Sequence, residues 1–537
     1  MKKIYLTILT VLLSAMPFAG YGQAVSGEGS KPRVLITTDP ELDDLNSLLR
    51  VLLFSTDFRI EGLVYSSSEW HWKGDGKGTR WYTPNREFSR DGADMGPVEN
   101  WRWAEDNWHI DWAVDAYEEA YENLRVHNPD YPTPEFLRSK IRIGNVEFEG
   151  EMEKDTPGSE LIKQVLLDDD PQPVYVQTWG GANTVARALK SIQEIYEGTP
   201  QWEEIHKKVS EKCILCMSGD QDETYPRYIR PYWPEIRRAQ FSYSGTRLGY
   251  SAQSSMPEED QLYYSPDYVL KYFTVGPLGA LYRYWGDGVQ MVPGDIYDAF
   301  GVSAGKTGEQ LRAEGYVEMT YDPFPQGSFL GEGDTGCFIN FISNGLRGHE
   351  DLSYGAWLAP VAPTPYKFRG TMGDMMYGGG NLAEMMAAMY QTSSEDEEAP
   401  RSQRAVAENP LPDFTPAIFN GEAARFLWSI TPKYEDANHE PEIEGALSMS
   451  GAPGETLKLK YTVTDPDKDA VSVSWWQYKP ACTYKGETNV KDTASASTTY
   501  TVPADAQSGQ TIHLVLEATD NSEPQLNHYL RLIITVK

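Results

Sequence analysis

Four short apolar runs, RVLITT (33–38), FRIEGLVYS (58–66), PVYVQTW (173–179) and KCILCMSG (212–219), stand among stretches with apolar residues at helical spacing, DDLNSLLRVLLF, DWAVDAYEEAYENL and GANTVARALKSIQEIY. Runs of this length read as buried strands. Strand, helix, strand in repetition builds a mostly parallel sheet with helices on both faces. The pattern therefore predicts an α/β domain over residues 31–434. Ligands of such sheets bind outside the carboxyl ends of the strands, so residues that follow each run matter most.

Composition shifts after that region. The run SSEDEEAPRSQRAVAENPLPD, from Ser393, is polar and proline-bearing, and PKYEDANHEPEIEG (432–445) reads as a linker. Beyond it ETLKLKYTVTD, AVSVSWWQY, ASTTYTVP, TIHLVLEATD and HYLRLIITV alternate with turns and without helical patterns. Residues 440–537 are expected to form an antiparallel, immunoglobulin-like β-sandwich that folds on its own. Trp475 and Trp476 fall on opposite strand faces, so only one of them is available to solvent. At the other end, MKKIYLTILTVLLSAMPFAGYGQA has two lysines, an apolar stretch and small residues, the layout of a signal peptide over 1–22 cleaved before Gln23. An exported, periplasmic or extracellular protein without a membrane span is the expectation.

The chain of 537 residues carries a net charge of −32. Such a surface repels nucleic acid and anionic lipid and favours cations and neutral partners. Cys213 and Cys216 sit in an apolar strand-like run with no second pair at zinc spacing, which marks them as core residues. The acidic residues concentrate in TTDPELDDL (37–45), directly after the first strand. A helix start explains part of it: Asp39 as cap, Pro40 at the first helical position and Glu41 at the positive helix end. Asp43 and Asp44 are left over, beside a buried face formed by Leu42, Leu45, Leu48, Leu49, Leu52 and Leu53. Carboxylates packed together there cost several kcal/mol unless a cation joins them, and a hard divalent ion with oxygen ligands does so.

DPELDD resembles the DPGxDD signature of the calcium-dependent nucleoside hydrolases. TWGGANTVARAL (178–189) is similar to that family's GGLTNIA segment, and GEGDTGCFINFISNGL (331–346) to the late segment that supplies a last aspartate. More closely, WGGANT, GEGDT, ANHEP, DPDKDAVSVSWWQY and TIHLVLEATD resemble a secreted bacterial family that joins a nucleoside-hydrolase-like domain to a C-terminal sandwich, with some members labelled cellulose-binding. The resemblance implies Ca2+ held by Asp39, Asp44, Asp334 and the carbonyl of Trp179, with Thr178 one position away. It also implies that Asp39 takes a proton from the attacking water and that Asp43 accepts a sugar hydroxyl, with Asn183 among the substrate contacts. The nucleoside hydrolase pattern is not kept throughout: Thr37 replaces a supporting aspartate, Glu69 replaces a ribose-binding asparagine, and Gly333 replaces a histidine that assists the leaving base.

Seven tryptophans fall between positions 70 and 112. Trp70 and Trp72, with His71, follow the second strand and are expected to line a sugar site, whereas Trp112 fits the buried face of a helix. Glu69 is the candidate proton donor to a leaving alkoxide. Asp220 and Asp222, after the strand KCILCMSG, either contact substrate or cap a turn. DPDKD (465–469) is expected to be a tight polar turn rather than a cation loop. Together these features predict a calcium-dependent glycoside hydrolase for a furanosyl glycoside or oligosaccharide. A non-catalytic carbohydrate-binding protein is the alternative, and a true nucleoside N-ribohydrolase a third reading.

Overall fold

The computed structural model describes residues 31–90, 94–239, 247–250, 252–317, 322–360 and 411–537. The expected signal peptide (1–22) and most of the polar run after Ser393 lie outside the described residues.

The first region is built on a six-stranded sheet: β1 (Arg33–Thr38), β2 (Arg59–Tyr65), β3 (Ile141–Ile143), β4 (Val174–Thr178), β5 (Cys213–Met217) and β6 (Arg237–Ala239). Its order is β3-β2-β1-β4-β5-β6, and every neighbouring pair is parallel. The two edge strands of three residues, β3 and β6, are too short to give a periodic signal in the sequence. Within β1 the side chains alternate between two cores. Val34 and Ile36 share a core with α1 (Leu42–Leu53), α2 (His109–His127) and α3 (Pro134–Lys140), while Leu35 packs with α4 (Pro157–Leu167) and α5 (Asn183–Tyr196). Both faces of the sheet are thus covered, as the unbroken apolar runs require.

The chain travels outward from β1 to β2 and β3 and then returns to β4 beside β1. That reversal places a crevice between the carboxyl ends of β1 and β4, immediately before Asp39 and Trp179.

Helix α1 begins at Leu42 with Glu41 in the extended cap position, so Asp39 and Pro40 precede the helix rather than open it. Asp43 and Asp44 occupy its first turn, at the positive end. Every residue of α1 is buried, not the leucine face alone. On its polar side Asn46 Nδ2 donates to the carbonyls of Arg283 and Gly331, both at 2.9 Å. Arg50, fully buried, pairs with Glu332 and Glu422 at 2.5 Å each, and Tyr282 donates to Glu332 at 2.7 Å. Helix α1 is thereby tied to the segment carrying Asp334 and to the helix Thr415–Trp428.

The C-terminal region is all β. Strands β8 (Ser448–Gly451), β11 (Ser472–Gln477), β13 (Thr511–Thr519) and β14 (Asn527–Val536) form one sheet in the order β11-β13-β14-β8. Strands β9 (Thr456–Lys460) and β12 (Ser497–Thr501) pair antiparallel, as do β7 (Glu442–Glu444) and β10 (Thr462–Thr464). The antiparallel expectation fails at one place, because β14 and β8 run parallel. The first half of β14 is completed by the other region instead: Tyr529 and Arg531 donate backbone N–H groups to the carbonyls of Asn344 and Gly345, at 2.9 and 3.1 Å. The buried Arg531 side chain donates to the carbonyls of Tyr354 and Gly355, at 2.7 and 3.0 Å. Trp475 faces the sandwich core, and Trp476 turns toward Phe414 at a ring separation of 6.1 Å.

Removing Arg50 leaves two buried carboxylates without their cation. Arg50→Met is expected to cost about 3–5 kcal/mol of stability, read as an earlier urea transition with the far-UV spectrum retained before it.

Candidate metal centre and adjoining cleft

Five carboxylates meet at the β1/β4 crevice. Asp39 leaves β1, Glu41, Asp43 and Asp44 follow at the start of α1, and Asp334 arrives from the segment behind Arg50 and Glu332. The candidate ligand atoms of Asp39, Glu41 and His71 lie within 4.8 Å of one another, as do those of Glu41, Asp43 and Asp44. All are buried except Glu41, whose side chain is 24% exposed.

Each carboxylate is held by neutral donors. Asp39 Oδ2 accepts from Ser68 Oγ at 2.6 Å and faces His71 Nδ1 at 2.7 Å. Asp44 Oδ1 accepts from Thr38 Oγ1 at 2.5 Å and from the backbone N–H of Asp39 at 3.2 Å. Asp43 accepts from Tyr250 Oη at 3.0 Å and from the Gly333 N–H at 3.1 Å, and Tyr250 also reaches Glu41 at 3.1 Å. Asp334 interacts with Ser218 and Asp44. Two glycines make room: a methyl group on Gly180 would overlap Asp39 Oδ1, and one on Gly333 would overlap Asp43 Oδ2. The departure at Gly333 therefore has a local cause, because any side chain there would displace Asp43.

Like charges without water raise one another's affinity for protons. Burial pushes Asp43 up to about 6, and burial with the neighbouring acids pushes Glu41, Asp44 and Asp334 well above the usual carboxylate range. Burial holds His71 below the ordinary histidine range and lowers His109 to about 3. Asp39 Oδ1 is buried and accepts no hydrogen bond. An orphaned anionic oxygen beside four other carboxylates fits a hard divalent cation, with Asp39, Asp44 and Asp334 as oxygen donors. The Trp179 carbonyl, which the resemblance places among the ligands, accepts from Gln221 Nε2 at 2.7 Å and keeps one lone pair for another partner.

The remaining predicted residues scatter. Glu69 is buried with its carboxylate 3.5 Å from Arg86, which also pairs with Glu149 at 2.8 Å. Asn183 spends its amide on the loops after β2 and β3: Oδ1 accepts from Ser66, and Nδ2 donates to Ser67 and to the Asn145 carbonyl. Asp222 accepts from the Asn183 N–H at 2.9 Å and from Thr224, the capping alternative for that residue. Asp220 is buried nearby. Trp70 is nearly buried, with the Arg90 guanidinium 5.9 Å from its ring centre.

Trp72 corrects the expectation of a sugar platform, because it is fully buried and its ring meets Trp81, Phe88 and Phe148 edge-on. Trp112 is corrected the other way: it is exposed at 39%. The four cysteines are buried and unpaired. In DPDKD, Asp465 Oδ1 accepts from the N–H groups of Asp467 and Asp469, and Asp467 holds His439 at 3.0 Å, so the turn fastens the linker to the sandwich.

Beyond Asp222 lies a cleft of about 530 Å³ lined by Arg86, Phe148, Glu149, Asp222, Thr224 and Arg227, among others. Its size falls within the usual range for small-ligand sites, about 300–1,000 Å³.

The site residues that sequence reasoning missed are Ser68, His109, Tyr250 and Gln221. Glu41 was visible in the motif but was assigned to the helix end. None of the four sits in a motif, and they reach the site only because three loops and α2 fold over it.

Two outcomes test this geometry. Gly180→Ala is expected to weaken cation binding at least tenfold by calorimetry while the thermal transition of the cation-free protein moves little. The second concerns pH. The fold binds the Asp43 proton more tightly than the unfolded chain does, so the associated stability is present in acid and lost as pH rises through about 6. In chelator, Asp43→Asn should therefore gain stability relative to the parent as pH rises from about 4 to about 6, followed by thermal melting.

Residues 33–358 match the family model described as cellulose-binding Sde182, nucleoside hydrolase-like domain, and residues 456–536 match that of the cellulose-binding protein Sde0182, C-terminal domain. Among solved structures, a nucleoside hydrolase-related hypothetical protein from Saccharophagus degradans, described as associated with carbohydrate metabolism, superposes with a TM-score of 0.63 at 22% identity, over 95% of this chain and 100% of its own. No curated protein matches. At that identity the superposition speaks for the fold. The first match spans more than half of the chain, and the second covers its tail, so the chain belongs to the Sde182 nucleoside hydrolase-like family, whose models carry a cellulose-binding description.

Proposed function

We propose that this chain is an exported glycoside hydrolase that binds one calcium ion at the β1/β4 crevice and cleaves a furanosyl glycoside or oligosaccharide. The observation that carries the reading is Asp39 Oδ1, a buried carboxylate oxygen without a hydrogen bond among the carboxylates of Glu41, Asp43, Asp44 and Asp334. A divalent cation bound there supplies Lewis acidity toward water and toward sugar hydroxyls.

The chain's own groups account for the rest. Asp39 is the ligand and proton acceptor closest to the strand end. Asp43, oriented by Tyr250 and Gly333, accepts a hydroxyl of the ring and keeps the sugar in register. Oxocarbenium character at the anomeric carbon is favoured by the surrounding carboxylates. The ion pair of Glu69 with Arg86 suits a group that braces the cleft wall better than one that donates a proton, so the leaving oxygen takes its proton from solvent. One feature supports a sugar leaving group over a nucleobase: Gly333 stands in the place where nucleoside hydrolases carry a histidine for the leaving base.

The second reading, a carbohydrate-binding protein without turnover, draws on the family's cellulose-binding description and on how little of the carboxylate cluster is exposed. Calcium-loaded protein incubated with furanosides, arabino-oligosaccharides, inosine and uridine, beside Asp39→Asn, separates the readings. Furanose release that falls by at least a thousandfold in the variant is the expected result. Fast nucleoside turnover would replace the substrate class. Glycan binding without any turnover would establish the second reading.

A further inference from the structure

Two buried histidines stand behind the two carboxylates nearest β1. We propose that His71 and His109 are positioning residues that fix Asp39 and Asp44 through neutral N–H donors, so that each carboxylate offers a defined oxygen to the cation and keeps its full charge. The proposal rests on the reading that the cluster binds a divalent cation.

The hydrogen bonds set the direction of each donor. An ionised carboxylate only accepts, so His71 Nδ1, 2.7 Å from Asp39 Oδ2, carries the proton. Ser68 Oγ donates to the same oxygen at 2.6 Å and accepts from the N–H groups of Trp70 and His71, at 3.0 and 3.2 Å, so the turn 68–71 is organised around Asp39. With Oδ2 doubly engaged, Oδ1 is the oxygen left over, facing Gly180.

The second relay runs through Thr38. Its hydroxyl has two acceptors, Asp44 Oδ1 at 2.5 Å and the Asp39 carbonyl at 3.2 Å, and with the one proton committed to these the oxygen accepts from His109 Nε2 at 3.1 Å, so Nε2 carries a proton. His109 therefore polarises Thr38 against Asp44 without touching the carboxylate.

Neutrality follows from what surrounds the other ring nitrogens. His71 Nε2 and His109 Nδ1 are buried and have no hydrogen-bond partner. A second proton on either ring would be a buried, unsatisfied N–H on a cation. A lysine or arginine in these places would also donate, but its charge would cancel a carboxylate and compete with the metal ion. Neutral donors orient the ligands without that competition. They also supply the backing that Thr37, in the position of the nucleoside hydrolases' supporting aspartate, does not.

Calcium titration of the chelator-treated full chain, with the His71→Ala, His71→Asn, His71→Lys, His109→Ala and His109→Gln variants, reads the proposal out. Losing an outer donor of this kind weakens metal binding by about 10–100-fold, which is the expectation for both alanine variants. His71→Asn and His109→Gln keep an amide N–H near the same place and should recover most of the loss. His71→Lys should bind no better than His71→Ala. Independently of folding in the variants, long-range 1H–15N spectra of the parent protein labelled in histidine should show His71 as the Nδ1–H tautomer and His109 as the Nε2–H tautomer. Parent-like calcium affinity in both alanine variants, or the opposite tautomers, would overturn the proposal while leaving the cation site standing. A parent protein that binds no divalent cation would remove the cation reading and this proposal together.

Discussion

Mutual repulsion among Asp39, Glu41, Asp43, Asp44 and Asp334 is the constraint around which the surrounding structure is organised. Among the described residues no lysine or arginine pairs with any of them. The protein meets the cost of burying these groups with hydroxyls, backbone N–H groups and neutral imidazoles, none of which cancels charge. Such an arrangement is poorly stable on its own and becomes stable when protons or a cation enter it. The glycines at 180 and 333 belong to the same logic, since backbone can approach a carboxylate where a side chain cannot.

Bringing Asp334 to Asp44 requires a rigid connection between distant parts of the chain, and Arg50 provides it. Glu332, two residues before Asp334, and Glu422, on the helix Thr415–Trp428, both bind that one guanidinium. Helix α1 therefore carries the candidate ligand Asp44 in its first turn and, nearly two turns later, the guanidinium that anchors the segment bearing Asp334. The sandwich adds a further tie through Arg531 and the Asn344–Gly345 backbone, just beyond the same segment. Trp476, which the alternation of β11 turns away from the sandwich core, packs in this junction on Phe414, and Asp467 of the DPDKD turn holds His439 of the linker.

How much of this was legible in the sequence depended on range. The central strands β1, β2, β4 and β5 and the helices α1, α2 and α5 were visible, because burial on one or two faces writes a period into a continuous segment. The edge strands β3 and β6 were not, since three residues carry no period. Asp39, Asp43 and Asp44 stood out because a local explanation, a helix cap, could not absorb them. His109 could not be found this way: nothing at the start of α2 distinguishes it until Thr38 is known to lie beside it. The tryptophans misled for a related reason. A cluster such as Trp72, Trp81 and Phe148 has the same composition whether its rings face a sugar or one another, and only packing shows that here they face one another.

Glu41 bears most directly on what the site admits. In the DPGxDD signature that DPELDD resembles, its position is a glycine. Here a carboxylate fills that place, shares Tyr250 with Asp43, and is the member of the cluster most exposed to solvent. A molecule that contacts Asp43 meets Glu41 as well, since the two share the Tyr250 hydroxyl, and a polar group covered by a ligand is costly unless it is hydrogen-bonded. Hydroxyl-rich sugars can meet both carboxylates at once with donors on neighbouring carbons. On the function proposed above, Glu41 therefore adds to the demand for hydroxyl groups beside Asp43, and a ligand that turned an apolar edge toward the pair would be disfavoured.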